Sequence, residues 1–172
     1  MDKNFKKLLA TWLEQIRKND RQVLHEAFYG HCDAFAIALM RIIEREFPKT
    51  NTHFVVISRD RVEIESDKIV DENPFSHVLL SVDGILVDAG GVDADSSWED
   101  NWIQPDEDDE EESCEDVFDY TTMNLDELTS LRRARDSRDP DKKMITKFTR
   151  SLEKSLVVAK GYGVAKKIRS PK

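Results

Sequence analysis

The chain has 172 residues, enough for one domain with a hydrophobic core and too few for two ordinary domains. Its hydrophobic content of 39% and charged content of 35% are typical of a soluble globular protein. No apolar run approaches the length of a membrane span, and charges interrupt the N-terminus where a signal peptide would be apolar. We therefore expect a single domain over residues 1–172 and no membrane partner.

One segment carries the formal net charge of −9. Residues 106–116 hold nine acidic side chains and no basic one, so the rest of the chain is close to neutral. A run of like charges repels itself and buries little apolar area, which predicts an acidic flexible loop over about residues 104–117. The last residues carry only basic charges, and we expect a mobile basic tail over residues 161–172.

The first third of the chain has helical periodicity. Apolar residues at helical spacing predict an amphipathic helix over residues 3–18, and a second, short helix is expected over residues 22–28. Residues 32–46 predict a third helix, whose first half is apolar on every side, as in a helix buried at the centre of a domain. Pro48 ends this helix.

The middle of the chain favours strands. Asp83-Gly84 is a strong signal for a two-residue hairpin turn, and residues 67–74 are expected to form a loop. Residues 92–121 have no regular pattern and are expected to be irregular, and helices are expected within residues 124–160. The strands are predicted at residues 53–58, 61–65, 76–82 and 85–89.

The hairpin register can be predicted from its turn. If Asp83 and Gly84 form the turn, Val82 pairs with Ile85 and each face of the hairpin is defined. One face is then wholly apolar, with Val78, Leu80, Val82, Ile85, Val87 and Ala89. On the other face His77 and Asp88 become diagonal neighbours. The register that buries the apolar set also brings an imidazole and a carboxylate together.

Cys32 begins the buried helix directly after Gly30 and His31. A thiol there faces unsatisfied N–H groups and the positive end of the helix dipole, which favour the thiolate form. Cys32, His77 and Asp88 in this order predict a nucleophile, a base and a group that orients the base. The backbone N–H of Cys32 is a natural oxyanion donor.

Several other residues are candidates for a second oxyanion donor or for contact with the substrate. Trp98 and Trp102 either anchor the acidic loop on the core or line a substrate cleft. The full set of oxyanion and substrate candidates is Tyr29, Gly30, His31, Gln22, Trp98 and Trp102.

The same residues also allow a structural interpretation. Cysteine is often a small buried helix residue, and His77 and Asp88 would satisfy each other in a buried hairpin. His31, Cys32, His77 and Cys114 lack the compact spacing of zinc ligands, so we expect no metal site, and no motif indicates a cofactor.

The pattern Gly30-His31-Cys32, followed by His77 and Asp88, resembles the transglutaminase-like branch of the papain-like cysteine hydrolases. In that family a Gly-x-Cys motif opens a buried helix, a histidine starts a strand and an aspartate ends the next strand. Papain-type enzymes usually carry an upstream glutamine as oxyanion donor, whereas Glu26 stands six residues before Cys32.

The resemblance covers residues 28–91 and implies a fold and a chemistry. The implied fold is α+β: a papain-like or transglutaminase-like core over about residues 22–91, with the cysteine helix packed on a small antiparallel sheet and further helices at both ends. The implied chemistry is attack on amides or thioesters by a triad of Cys32, His77 and Asp88.

Two functions follow as hypotheses. The first is a cysteine-dependent hydrolase or acyltransferase, that is, a protease, amidase, deamidase or transglutaminase-like enzyme with a protein or peptide substrate. The alternative is a non-catalytic interaction protein, of phage or mobile-element origin, that binds a basic partner through the acidic loop. Two cysteines make no disulfide framework, so a reducing, cytoplasmic setting is expected. The basic tail is too weak a pattern to predict a nucleic-acid partner.

Overall fold

The computed structural model describes residues 3–92, 114–136 and 139–168, and these form an α+β fold. The helices of this part of the chain are α1 (Lys3–Asn19), α2 (Arg21–Phe28), α3 (Cys32–Glu46), α4 (Leu125–Asp136) and α5 (Lys142–Ile168). The strands are β1 (Thr52–Glu63), β2 (Lys68–Val82), β3 (Ile85–Val87) and β4 (Cys114–Met123). Within the described ranges, none of the helices combines the length and apolar character needed to cross a membrane.

Helix α3 lies at the centre of the core, as its apolar first half predicts. Its buried residues run without a break from Asp33 to Met40. Phe35 of α3 meets Phe148 of α5 edge to face, with ring centroids 5.6 Å apart. Helix α1 joins the same core through Trp12, whose indole Nε1 donates to the Leu152 carbonyl at 2.8 Å. Burial of these large side chains is the main source of stability.

The four strands form one antiparallel sheet in the order β3-β2-β1-β4. Val82 pairs with Ile85, so the predicted hairpin register is confirmed. Asp83 and Gly84 have φ angles of +51° and +84°, as a tight turn with two left-handed residues requires. The face with Leu80 and Val87 belongs to the main core with α3, so the hairpin carries the predicted apolar face inward.

The strands predicted separately at residues 53–58 and 61–65 form one continuous strand, β1, and β2 is longer than the sequence predicts. The expected loop over residues 67–74 is part of β2, which pairs with β1 from Glu63 and Lys68 onward. Ile69 and Val70 are exposed there. Alternating strand periodicity arises where one face of a strand is buried. This stretch is largely exposed, so its sequence lacks that pattern. Backbone pairing with β1 holds it instead.

Strand β4 is the clearest departure from the sequence expectation. Residues 92–121 were expected to be irregular, and the acidic loop to extend to about residue 117, but β4 begins at Cys114 and pairs with β1 over its length. It is an edge strand, whose backbone pairing does not need apolar side chains. Residues 104–113 of the acidic loop, and with them Trp98 and Trp102, lie outside the described residues.

The C-terminal helices agree with the expectation over residues 124–160, and α5 extends further. Asn124 Oδ1 accepts hydrogen bonds from the N–H groups of Asp126 and Glu127 at 2.9 and 3.0 Å, and the Asn124 N–H donates to Glu127 Oε2 at 2.8 Å. This is a capping box. The basic tail expected from residue 161 is helical as far as Ile168, because a helical glycine such as Gly161 costs only about 1 kcal/mol.

Candidate active site

Cys32 is the first residue of α3 and follows a tight turn from α2. Gly30 has a φ of +102°, a left-handed conformation that glycine adopts without strain, and this lets the chain reverse between the two helices. His31 is the N-cap of α3, but its side chain makes no capping hydrogen bond. The thiol is half-buried. It therefore combines a helix N-terminus with partial access to solvent.

The side chains of His77 and Asp88 meet across the β2–β3 hairpin. His77 lies on β2 and Asp88 directly follows β3, and Nε2 of the imidazole is 3.0 Å from Oδ2 of the carboxylate. Their exposed fractions are 2% and 5%. A charge-assisted hydrogen bond that is shielded from water holds its geometry more firmly than a surface pair. It fixes the ring, with Nε2 directed to Asp88.

Backbone groups hold the Asp88 carboxylate in place. Its Oδ1 accepts hydrogen bonds from the N–H groups of Gly90 at 2.7 Å and Gly91 at 3.1 Å. A Cβ atom on Gly90 would lie 3.0 Å from this oxygen and 3.0 Å from Phe28 Cζ, tighter than most real Cβ contacts, so a neighbour would have to shift. Arg17 of α1 donates to the Gly90 carbonyl at 2.8 Å. The turn thus presents Oδ2 to His77.

Two neighbours, Asp88 and Cys32, raise the pKa of His77. Burial alone lowers this pKa, but hydrogen bonds and charges from Asp88 and Cys32 outweigh burial and raise it to about 9. The imidazole is therefore protonated at neutral pH. Cys32 contributes to this shift and therefore lies near the imidazole, so the structure brings close together the three residues that the sequence predicts as nucleophile, base and orienting group.

Asp33 and Arg132 add an ion pair at the start of α3. The Asp33 carboxylate is 2% exposed, and its Oδ1 accepts the N–H of Ala34 at 2.7 Å. Its Oδ2 lies 3.3 Å from Nε of Arg132 on α4. Asp33 lies in the first turn of α3, where a carboxylate balances the positive end of the helix dipole. Sequence analysis missed Arg132, because no local pattern connects α4 with α3.

Gln22 and Glu26 interact with each other on α2. Gln22 Nε2 donates to Glu26 Oε1 at 3.1 Å. Lys147 of α5 binds both carboxylate oxygens of Glu26 at 2.7 and 2.6 Å, and this hydrogen bonding lowers the pKa of Glu26. The contacts of Gln22 are therefore with the exposed surface of α2, and they give no support to its candidacy as an oxyanion donor.

The remaining candidates differ in position. Tyr29 is 75% exposed and its ring stacks on His25, with centroids 4.4 Å apart. His31 is half-buried beside Cys32 in the chain. Their role as substrate contacts stays a prediction.

Within residues 3–92, 114–136 and 139–168, the structure contains no group of three or more His, Cys, Asp or Glu side chains that could hold a metal ion.

Comparison of the chain with family models, curated proteins and solved structures finds no match.

Proposed function

We propose that the protein is a cysteine-dependent hydrolase or acyltransferase that acts on amides or thioesters, with a transglutaminase-like core around its cysteine helix. The observation that supports this most is the buried His77–Asp88 pair, with Cys32 near enough to help raise the pKa of the imidazole. Nucleophile, proton carrier and orienting group then come from three different elements that meet at one point.

The proposed reaction has two steps. The Cys32 sulfur attacks the acyl carbon, and the backbone N–H at the start of α3 stabilises the negative oxygen that forms. The imidazolium of His77 gives its proton to the leaving amine or thiol, which departs and leaves a thioester on Cys32. Water or an amine then attacks this thioester while His77 takes its proton, and the Cys32 sulfur is released.

Energetic considerations favour this function over a purely structural pair. A charged imidazolium costs several kcal/mol to bury, even with a partner, and an apolar pair of the same volume would serve packing at least as well. A protonated histidine between a carboxylate and a half-exposed thiol is a typical arrangement for activating a cysteine.

The reactivity of Cys32 tests the proposal, and Cys114 provides an internal control because it is also half-buried. At pH 7 we expect iodoacetamide to alkylate Cys32 at least about tenfold faster than Cys114, with peptide mass spectrometry reading each site. His77→Ala should slow Cys32 by about tenfold or more. His25→Ala, which removes a surface histidine, should leave the rate within about twofold.

The same proteins treated with a short peptide thioester connect this reactivity with catalysis. Wild-type protein should carry the acyl group on Cys32, and Cys32→Ser should lose both acylation and turnover. Equal alkylation of Cys32 and Cys114, or acylation that is independent of His77, would contradict the proposal.

A further inference from the structure

A basic groove runs along α5 where it meets the junction of α1 and α2. It is an open depression of about 630 Å³, and its charged lining residues are Lys142, Lys143, Lys147, Arg150, Lys154 and Asp20. Ser151 of α5 donates to Asp20 Oδ2 at 2.9 Å, and this contact joins α5 to the junction of α1 and α2. Five basic side chains against one acidic side chain give this surface a positive potential in a chain of net negative charge.

Most of these cations are available to a ligand. Lys147 is bound to Glu26, and the charges of Lys142 and Lys143 act on Asp139 and Asp141. Among the described residues, however, the side chains of Lys142, Lys143, Arg150 and Lys154 form no hydrogen bond and no ion pair within 4.0 Å. Unpaired like charges in a concave surface are unfavourable until an anion binds between them.

The spacing of the cations matches an extended chain. Lys143, Lys147, Arg150 and Lys154 follow each other at intervals of four, three and four residues, which places them on one face of α5. From Lys143 to Lys154 the helix rises about 16 Å. An extended polypeptide covers that length in about five residues.

The basic groove reaches the helix that precedes the cysteine. Lys147 binds Glu26 on α2 at 2.7 and 2.6 Å. Helix α2 ends at Phe28, directly before the turn that leads to Cys32. A chain bound along the basic groove would therefore approach the thiol at its α2 end.

We infer that the basic groove binds an acidic stretch of a polypeptide substrate and delivers a neighbouring acyl group to Cys32. The inference rests on the proposed function for its second half only. None of the described residues that line the groove is aromatic, so a base has no ring to stack on, which disfavours a single-stranded nucleic acid. Carboxylates on a flexible chain adapt to single lysine charges.

Binding is tested with a fluorescein-labelled peptide of about eight glutamates on the Cys32→Ser protein, followed by fluorescence anisotropy. Reversing Lys143, Arg150 and Lys154 to Glu should weaken binding by about tenfold or more. The matched control reverses Lys7, Arg41 and Lys49, which are exposed elsewhere, and changes net charge equally. It should weaken binding by less than about threefold, because exposed charges are screened beyond about 10 Å at 0.1 M ionic strength.

Two outcomes would overturn the binding part. Equal loss in both variants would show that net charge alone attracts the peptide. Tighter binding of a single-stranded oligonucleotide of about eight thymidines, lost in the groove variant, would assign the surface to nucleic acid instead.

Delivery to Cys32 is tested separately with the unmodified cysteine. A chloroacetyl group on the acidic peptide should label Cys32 about tenfold faster than the same group on a neutral Gly-Ser peptide, and the groove variant should remove this advantage. Equal labelling by both peptides would overturn delivery even if the groove binds. Failure of the proposed function can be told apart from failure of delivery. If the proposed function is wrong, the His77-dependent reactivity towards both peptides is low and the anisotropy is unchanged.

Discussion

At the scale of single residues, the site depends on how His77 is surrounded. Burial works against its positive charge, and only the hydrogen bonds and charges of Asp88 and Cys32 overcome that cost. The backbone N–H groups of Gly90 and Gly91 leave the Asp88 carboxylate little freedom to turn away. A small error in any of these contacts would leave a buried charge without compensation.

The pKa of His77 predicts a pH dependence of stability. It is about 9 in the folded chain against about 6.5 in the unfolded chain, so the stabilisation is complete below pH 6.5 and is lost as pH rises through 9. Urea unfolding of the wild type and of His77→Gln should differ by on the order of 3 kcal/mol more at pH 6 than at pH 9.5. His25→Gln is the control, and parallel curves for wild type and His77→Gln would contradict the assignment.

At the scale of elements, the candidate site lies where several helices and strands meet. Helix α3 provides the cysteine, β2 the histidine and the segment after β3 the aspartate, while α1 holds the turn through Arg17. Helix α4, which comes after the acidic segment in the chain, reaches the same helix start through Arg132 and Asp33. The second half of the chain therefore stabilises the position of Cys32.

Removal of the Arg132 side chain should be costly although the residue is partly exposed. Arg132→Ala leaves the buried Asp33 carboxylate without its counter-charge, and we expect a loss of about 2 kcal/mol in urea unfolding. Its neighbour Arg133 pairs with Asp139 at the surface, so Arg133→Ala should cost less than about 1 kcal/mol. Adding Asp33→Asn to Arg132→Ala should restore part of the loss. Equal effects of the two arginines would refute this role.

At the scale of the whole molecule, α5 belongs to the same core as the cysteine helix. Phe148 has no exposed surface and packs on Phe35, and Trp12 of α1 bonds to the backbone of α5. The helix also carries the basic groove on its other side. A single element thus supports the core and presents the surface proposed for substrate binding.

Truncation at the α3–α5 contact should destabilise the protein as a unit. Phe148→Ala should lower the free energy of unfolding by about 3–5 kcal/mol. Val157→Ala, at a position 73% exposed on the same helix, should change it by less than about 0.5 kcal/mol. Tryptophan fluorescence and far-UV circular dichroism should report one shared transition. Separate transitions would mean that α5 unfolds independently of α3.

The sequence by itself determined the features that depend on local pattern. The all-round apolar start of α3 predicts its burial, and Asp83-Gly84 predicts the turn that sets the register of β2 against β3. That register in turn predicts the meeting of His77 and Asp88, because residues 11 positions apart in a tight hairpin are neighbours by geometry alone.

Only the tertiary structure decided the contacts between distant elements. Four features each join segments that are far apart in the chain: the proximity of Cys32 to His77, the ion pair of Arg132 with Asp33, the edge strand β4 and the basic groove. Periodicity reports which face of an element is buried but not which element covers it. Those choices arise from packing the whole core at once, so they could be read only from the folded chain.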